Sequence, residues 1–348
     1  MLSPGRGLRG APFSDLACLN GAGGWTVSAH LSLDGDSITV GTGQKPEAVR
    51  AGHTSRIVRI DGEQAAGSGM LGDYLQILWL IPAMDGLFTG AASERRRFLD
   101  RMVATFDSAH RTRLNHFERA MRQRNKLLEL GERSGRMFEA IEAQMAETGT
   151  AIAAARIEAL ERLSHYAGRR PANGAEGFPH AILALDGMLE NALNERAAVD
   201  VEDDYARILA TGRDRDRAAK RTLSGPHRSD FAVRHGPKDM PAALCSTGEQ
   251  KALLIGLVLA HAKAVKDARS GLAPLLLLDE IAAHLDDLRR EALFEEIETL
   301  GAQAWFTGTD REAFAPLRKK AQFFEIEDGR VMPVDGRDMP GPLPMIMG

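Results

Sequence analysis

Cysteine is nearly absent from this chain: Cys18 and Cys245 stand far apart in 348 residues. That excludes a disulfide-stapled scaffold and a cysteine-rich metal fold, and it fits reduced thiols in a cytosol. Long apolar runs are missing too. The longest, around Leu253–Leu259 and Leu275–Leu278, fall well short of the ~18 residues of a membrane span. With no signal peptide in view, a soluble cytoplasmic protein is expected, with no membrane partner. Excess positive charge is also lacking, since 44 Lys and Arg face 48 Asp and Glu for a net charge of -4. A uniformly basic nucleic-acid binder is thereby excluded, and any DNA contact has to come from local patches. No cluster of Cys and His has metal-ligand spacing.

What is present is enough chain to bury a large core in two lobes. It is organised around Leu275-Leu276-Leu277-Leu278-Asp279-Glu280. Four leucines after a Gly271/Pro274 break read as a strand buried on both faces, as in a parallel sheet. Open α/β sheets place ligand chemistry at the C-terminal ends of their strands, where the two acids stand. By itself the pattern serves equally well as a core strand ending in solvated acids. Upstream, Ser246-Thr247-Gly248-Glu249-Gln250-Lys251 opens a long apolar helix. Ser246 or Thr247 is a fitting N-cap, and the free N–H groups of a first turn attract anions.

A Ser-x-Gly-x-Gln helix start about 30 residues before an Asp-Glu-ending strand resembles the signature motif and Walker B strand of ABC-type ATPases. Two further segments, Glu94-Arg95-Arg96-Arg97-Phe98-Leu99-Asp100 and Gly225-Pro226-His227-Arg228-Ser229-Asp230, narrow the likeness. Together with Ala283-His284-Leu285-Asp286, Arg289 and Leu293 they resemble the RecF family of bacterial recombinational-repair ATPases, in order and over essentially the whole chain.

The resemblance implies an α/β fold: an ABC-ATPase-like head with a P-loop-type sheet and an antiparallel β subdomain, plus an inserted α-helical lobe with a short coiled-coil arm. It implies ATP and Mg²⁺ as cofactors, Asp279 holding Mg²⁺ through water and Glu280 orienting the attacking water. The signature residues Ser246, Thr247, Gly248, Glu249 and Gln250 would face a nucleotide held by a second protomer. Asp286 would lie in the D-loop at the dimer seam, and Thr309 at the switch position, where transporters carry His. His227 and Arg228 would lie near the nucleotide, although Ser229 replaces the family's usual second acid and His227 serves equally as a structural histidine. The implied partners are DNA, single-stranded and at junctions with duplex, together with RecR and RecO and an ATP-dependent homodimer. The implied roles are recombinase loading at gaps, fork maintenance and the SOS response.

One departure is large. The family's Walker A loop, Gly-x-x-x-x-Gly-Lys-Ser/Thr, does not occur in these residues. Asn20-Gly21-Ala22-Gly23-Gly24 lacks the Lys and the Mg²⁺-binding hydroxyl and is expected to be a turn before a strand. Leu2 to Arg9 resembles the family segment just after the Walker A helix, so the N-terminal part of the head is expected to be missing. The backbone N–H groups and Lys of that loop bind the β- and γ-phosphates. The polypeptide as written is therefore predicted to show negligible ATP turnover and no tight ATP retention in a radiolabelled filter assay; tight binding would overturn this. Apolar sheet surface is also expected to be left uncovered.

Taken in order, residues 1–90 are expected as the β-rich N-terminal part of the head, with a hairpin from Thr26–Leu33 to Ser37–Val40, a strand at Arg56–Ile60, and a helix running into a strand over Leu71–Leu80. Residues 91–220 read as the helical lobe. Leu114, Phe117, Met121 and Leu128, then Ile141, Met145, Ile152, Ala159, Leu163 and Tyr166, mark two helices joined by a Gly131–Gly135 turn as an antiparallel hairpin. After an Arg169–Gly177 loop a further helix is expected near Ala181–Ala198, and Glu202-Asp203-Asp204 as an acidic helix start. Residues 221–335 complete the head, with a strand at Phe231–His235, and 336–348 form a tail.

Arg119, Arg122, Arg124 and Lys126, with only Glu118 and Glu129 beside them, are the DNA-binding candidates. For any one basic cluster a solvated helix face explains as much. No base-reading motif is seen. An SMC-like structural ATPase of chromosome organisation is the alternative, disfavoured by a helical insert of only about 125 residues; an ATPase-incompetent truncated RecF fragment is another.

Overall fold

The computed structural model describes residues 1–5, 7, 11–18, 21, 23–33, 35–52, 55–168, 177–282 and 285–334. Ala283 and His284 of the D-loop segment, most of the Arg169–Gly177 loop, Asn20 and Ala22, and the 336–348 tail lie outside the described residues.

The Leu-rich strand is where the sequence placed it. Parallel pairing joins β5 (Ile77–Leu80), β9 (Leu275–Asp279) and β10 (Ala304–Thr307) in the order β10-β9-β5. Leu276 and Leu278 are buried and pack with Leu78, Leu80 and the helix that precedes β9. Burial of a leucine contributes about 1.5–3 kcal/mol; Leu275 and Leu277, on the other face of β9, are only partly buried, so the expected covering of both faces is incomplete. That preceding helix, α9 (Thr247–Ala268), is apolar nearly all round and is buried along its length rather than along one stripe. β10 ends the sheet among the described residues, and its Trp305 is 51% exposed and stacked on Phe324.

Before this sheet comes a four-stranded antiparallel one, β1 (Trp25–Leu33), β2 (Asp36–Gln44), β3 (Ile57–Ile60) and β4 (Glu63–Gln64). Its hairpin is longer than expected. The pairing Leu33↔Asp36 closes it around a turn with Gly35 at φ 95. One face packs Val40 and Val58 on Leu71, which lies in the short helix α2 (Leu71–Tyr74) before β5.

The helical stretch comprises α3 (Ala92–Phe106), α4 (His110–Glu129), α5 (Gly135–Ala167), α7 (Ala198–Thr211) and α8 (Arg213–Ala219). α4 and α5 form the expected antiparallel pair, but it does not stand free, because α7 lies along it. Phe117, Met145 and Ile152 share a core with Val201, Tyr205 and Leu209. The far part of α5 belongs to the head instead: Ala159, Leu163 and Ala167 are in the core that holds α9 and the parallel sheet.

Two local readings are corrected. The helix expected near Ala181–Ala198 is strand β6 (Ala181–Asp186) followed by the short helix α6 (Met188–Leu193). Ala-Ile-Leu-Ala-Leu suits either period, and antiparallel pairing with β7 (Asp230–His235) decides it. Glu202–Asp204 do not start a helix; they lie inside α7, which begins at Ala198. Among the described residues, no helix is long and apolar enough to cross a membrane.

Candidate functional site

Asp279 closes β9 and Glu280 follows it out of the sheet. Glu280 adopts φ 55, a left-handed conformation rare for a side-chain-bearing residue. Two hydrogen bonds to β10 hold it: its N–H donates to Thr307 O at 3.1 Å and lies 3.3 Å from Thr307 Oγ1. The same hydroxyl donates to Asp279 Oδ1 at 2.5 Å. Thr307 thus orients both members of the acidic pair, leaving Glu280 exposed at the sheet edge. Thr309, the expected switch residue, lies two positions on, in an exposed bend.

The signature turn is a complete capping box. Ser246 N and Oγ donate to Glu249 Oε2 at 3.0 and 2.9 Å, and Glu249 N donates back to Ser246 Oγ. Lys238 pairs with the other oxygen of Glu249. The Lys238 ammonium, and then the Ser246 backbone and hydroxyl donors, hold the Glu249 carboxyl down at about 2. Ser246, Thr247 and Gly248 are exposed, and a side chain built at Gly248 would meet nothing within 4 Å. Leu244 beside them is 70% exposed. Gln250 is a correction. Its side chain is buried and its Nε2 donates to Cys245 O at 2.8 Å, so it braces the turn from inside and does not reach outward.

The turn and the acids stand at the same end of the sheet. α9 leads into β9 and packs antiparallel to it, which sets the start of the helix beside the end of the strand. Lys251 Nζ, in the first turn of α9, lies 3.2 Å from Asp85 Oδ2 just beyond the C-terminal end of β5, and Leu80 of β5 pairs with Leu278 of β9. Asp286 is the N-cap of α10 (Asp287–Leu300), accepting from Arg289 N at 2.9 Å. Arg290 donates to Ala282 O and Leu285 O, which ties the segment after Glu280 to that helix.

The two arginine-rich motifs close on each other rather than facing outward. Arg95 makes two bonds of 2.8 Å to Asp230, and this pairing lowers the Asp230 carboxyl below the usual aspartate range. Arg96 donates to Ser229 O at 2.6 Å. Asp100 takes Arg156 in a fork at 2.8 and 2.9 Å, and Arg156 donates to Pro226 O at 2.7 Å. Glu190 completes the knot, receiving Ser229 Oγ at 2.7 and 2.8 Å.

His227 Nε2 lies 3.0 Å from Thr222 O, its ring is against Phe117, and burial lowers its pKa. It buttresses α4 through Phe117. Arg228 is exposed. Gly225 needs its φ of 134, and a Cβ there would fall 2.1 Å from Tyr205 Oη, whose hydroxyl donates to Ser224 O.

Of the four DNA-binding candidates on α4, three are exposed. Arg122 pairs with Glu118 and Lys126 with Glu129, and Arg119 lies open beside them. Arg124 is the correction. It is 0% exposed, with Nε 2.9 Å from Glu142, Nη1 2.7 Å from Asp216 and 2.9 Å from Thr222 Oγ1, and Nη2 2.7 Å from Leu209 O. It locks α4 to α5, α7 and α8 and cannot touch DNA. Sequence reasoning also passed over Thr307, Arg156 and Glu190. Only Thr307 carried a local signal, a hydroxyl on the strand next to the acidic pair.

No family model matches the chain. A protein of Mesorhizobium japonicum called DNA replication and repair protein RecF is 52% identical over 335 residues, covering 96% of this chain and 87% of its own length. One of the same name from Brucella suis is 53% identical over 332 residues, covering 95% and 84%. Among solved structures, one described as the recombination mediator protein RecF-ATPrS in the RecFOR pathway superposes with a TM-score of 0.80 at 21% identity, covering 96% of this chain and 86% of that one. A second, described as RecF-ATP in the same pathway, gives 0.76 at 19%, covering 94% and 84%.

Proposed function

The chain belongs to the RecF family of DNA replication and repair proteins, and from that premise we propose that it works as a DNA-binding head closed by ATP. Two heads approach about a twofold axis. Each would present its Ser246–Gly248 turn to the γ-phosphate of a nucleotide held by the other through a Walker A loop, a motif that these 348 residues do not contain, so this polypeptide by itself is expected not to close on ATP. The observation that carries this reading is the common placement of the signature turn and the Asp279–Glu280 pair at the C-terminal end of one parallel sheet. Exposed Leu244 and the open space over Gly248 suit a partner surface there.

Among the described residues no group of three or more His, Cys, Asp or Glu could hold a metal ion. Asp279, held at the end of β9 by Thr307, would be the residue to hold Mg²⁺ through water beside the phosphates. Such an ion would neutralise charge on the phosphates. Thr307 would keep Asp279 aimed, and Glu280 would orient the attacking water. DNA is the partner along α4, bound through its phosphates by Arg119, Arg122 and Lys126, without base readout. Gapped DNA, recombinase loading, the SOS response and assembly with RecR and RecO belong to the same reading, as do residues 1–90, 91–220 and 221–335 acting as head, helical lobe and head.

The test is fluorescence anisotropy on a gapped duplex. Arg119→Glu with Arg122→Glu is expected to weaken binding at least tenfold in low salt and to cut the slope of log K against log salt by about two, near 0.9 per phosphate contact. Affinity and slope equal to those of the unaltered chain would remove α4 from the DNA surface.

A further inference from the structure

Arg111, in the first turn of α4, is partly buried and has neither a hydrogen bond nor an ion pair among the described residues. Its neighbour Arg113 is matched by Asp107; Arg111 is not matched. The guanidinium lies directly against Gly5, where a Cβ would fall 2.3 Å from Nη1. A second cation closes in from β3. Arg56 donates to Met1 O and Ser3 O across the strap formed by residues 1–5, and its ring-side contact is Phe13, 5.1 Å from the guanidinium carbon. Arg56 Nε is buried without a partner.

Burial, and then the nearby Arg111 charge, lower the Arg56 pKa, and burial lowers that of Arg111. Two half-buried guanidiniums with no carboxylate paired to either among the described residues are costly unless an anion neutralises them. We infer that Arg56 and Arg111, under the backbone strap of Ser3–Gly5, form a binding site for a phosphate group.

The site is separate from the acidic pair. α3 runs back from the C-terminal end of β5, and near its own end Thr105 Oγ1 lies 2.8 Å from His261 Nε2, fourteen residues into α9. At a rise of 1.5 Å per residue that is about 21 Å from the signature turn. Arg111 follows just after that end of α3, in the first turn of α4. The strap also touches Gly72, ahead of the N-terminal end of β5: a Cβ at Gly72 would lie 3.5 Å from Pro4 Cγ.

Guanidinium pairs suit phosphate because each offers a planar fork of donors that keeps its charge at any working pH. The phosphate has two possible sources, a free anion or nucleotide and a nucleic-acid backbone. The helix favours the second. At about 100° per residue, Arg111, Arg119, Arg122 and Lys126 fall within an arc of about 80°, spread over about 23 Å of α4. The Arg56–Arg111 pocket would then be the buried end of one phosphate-binding stripe.

Two measurements on the whole chain test this. In the first, thermal melts are recorded in inorganic phosphate and in chloride of equal ionic strength. Phosphate is expected to raise the melting temperature of the unaltered chain. Arg111→Met is expected to lose that increment and, in phosphate-free buffer, to melt no lower than the unaltered chain, because it removes an unpaired cation. In the second, DNA anisotropy is measured across a salt series. A slope lower by about one in Arg111→Met assigns the phosphate to a nucleic-acid strand. An unchanged slope with the phosphate increment lost assigns it to a free anion. If neither quantity depends on Arg111, or if Arg111→Met melts well below the unaltered chain without phosphate, the side chain is a structural strut and the inference is overturned.

Discussion

Replacing Arg124 with Met is expected to destabilise the helical lobe by about 3–5 kcal/mol, the usual cost of removing one partner from a buried ion cluster. Glu142 and Asp216 are 3% and 1% exposed, and each would keep its charge while losing a 2.9 or 2.7 Å contact. Arg213 still reaches Glu142 from the surface, so Asp216 is the group left most exposed to the loss. Arg124→Lys is expected to recover little. A single ammonium cannot span Glu142, Asp216, Thr222 and Leu209 O, which a fork of five donors reaches together. Urea unfolding followed by circular dichroism measures the change. Its companion is the salt slope of DNA binding, taken at a temperature where the variant is folded, which is expected not to move. A stable Arg124→Met variant with a lower slope would return this residue to the DNA surface.

Ser229→Asp is the second large effect. Its hydroxyl donates to both Glu190 oxygens, at 2.7 and 2.8 Å, in a place where both residues are 1% exposed. A carboxylate there would face another at hydrogen-bond distance, and two such groups cannot both ionise. Arg156 already serves Asp100, Pro226 O and, at 3.4 Å, Glu190 itself, so it cannot also neutralise a second acid fully.

The two acids would share one proton, held above the ordinary carboxylate range by their mutual repulsion, and forcing both to ionise in this buried place is expected to cost about 3–5 kcal/mol. The sign follows from linkage. The folded variant binds a proton that the unfolded chain has released, so stability relative to the unaltered chain falls as pH rises from about 4 toward the raised folded value. Unfolding midpoints should therefore nearly coincide at pH 4.5 and separate widely by pH 8. A gap that is constant with pH would mean a steric cost and no proton held between the two acids. The position matters because it is where this chain carries serine in a motif that usually carries a second acid. Glu190, supplied by α6, occupies the place such an acid would compete for.

The residues that failed as functional candidates failed for a common reason. Arg124 looks on paper like its neighbours Arg119, Arg122 and Lys126, since charge and spacing alone do not say which way a helix faces. The deciding feature is α8, about 90 residues further on, which brings Asp216 to within 2.7 Å. Gln250 likewise looks like an outward ligand beside Ser246, until the helix turn rotates it onto Cys245 O. In both cases a polar side chain became a structural bolt because another segment supplied its partner.

The chain by itself determined the parallel β9 core, the helix that starts at Ser246, the α4–α5 pair and the family, because those are written in local periodicity and in short motifs with fixed order. An apolar run such as Leu275–Leu278 is stable only inside a sheet core, where Leu276 and Leu278 are buried, and Ser246 with Glu249 caps a helix whatever surrounds it. Contacts between distant segments decided the rest. Pairing with β7 made a strand of Ala181–Asp186, and packing closed the arginine-rich motifs on Asp230, Asp100 and Glu190. Folding left Arg111 and Arg56 together with no acid paired to either among the described residues. A charged side chain's role depends on what faces it after folding, and residues far apart in sequence supply that.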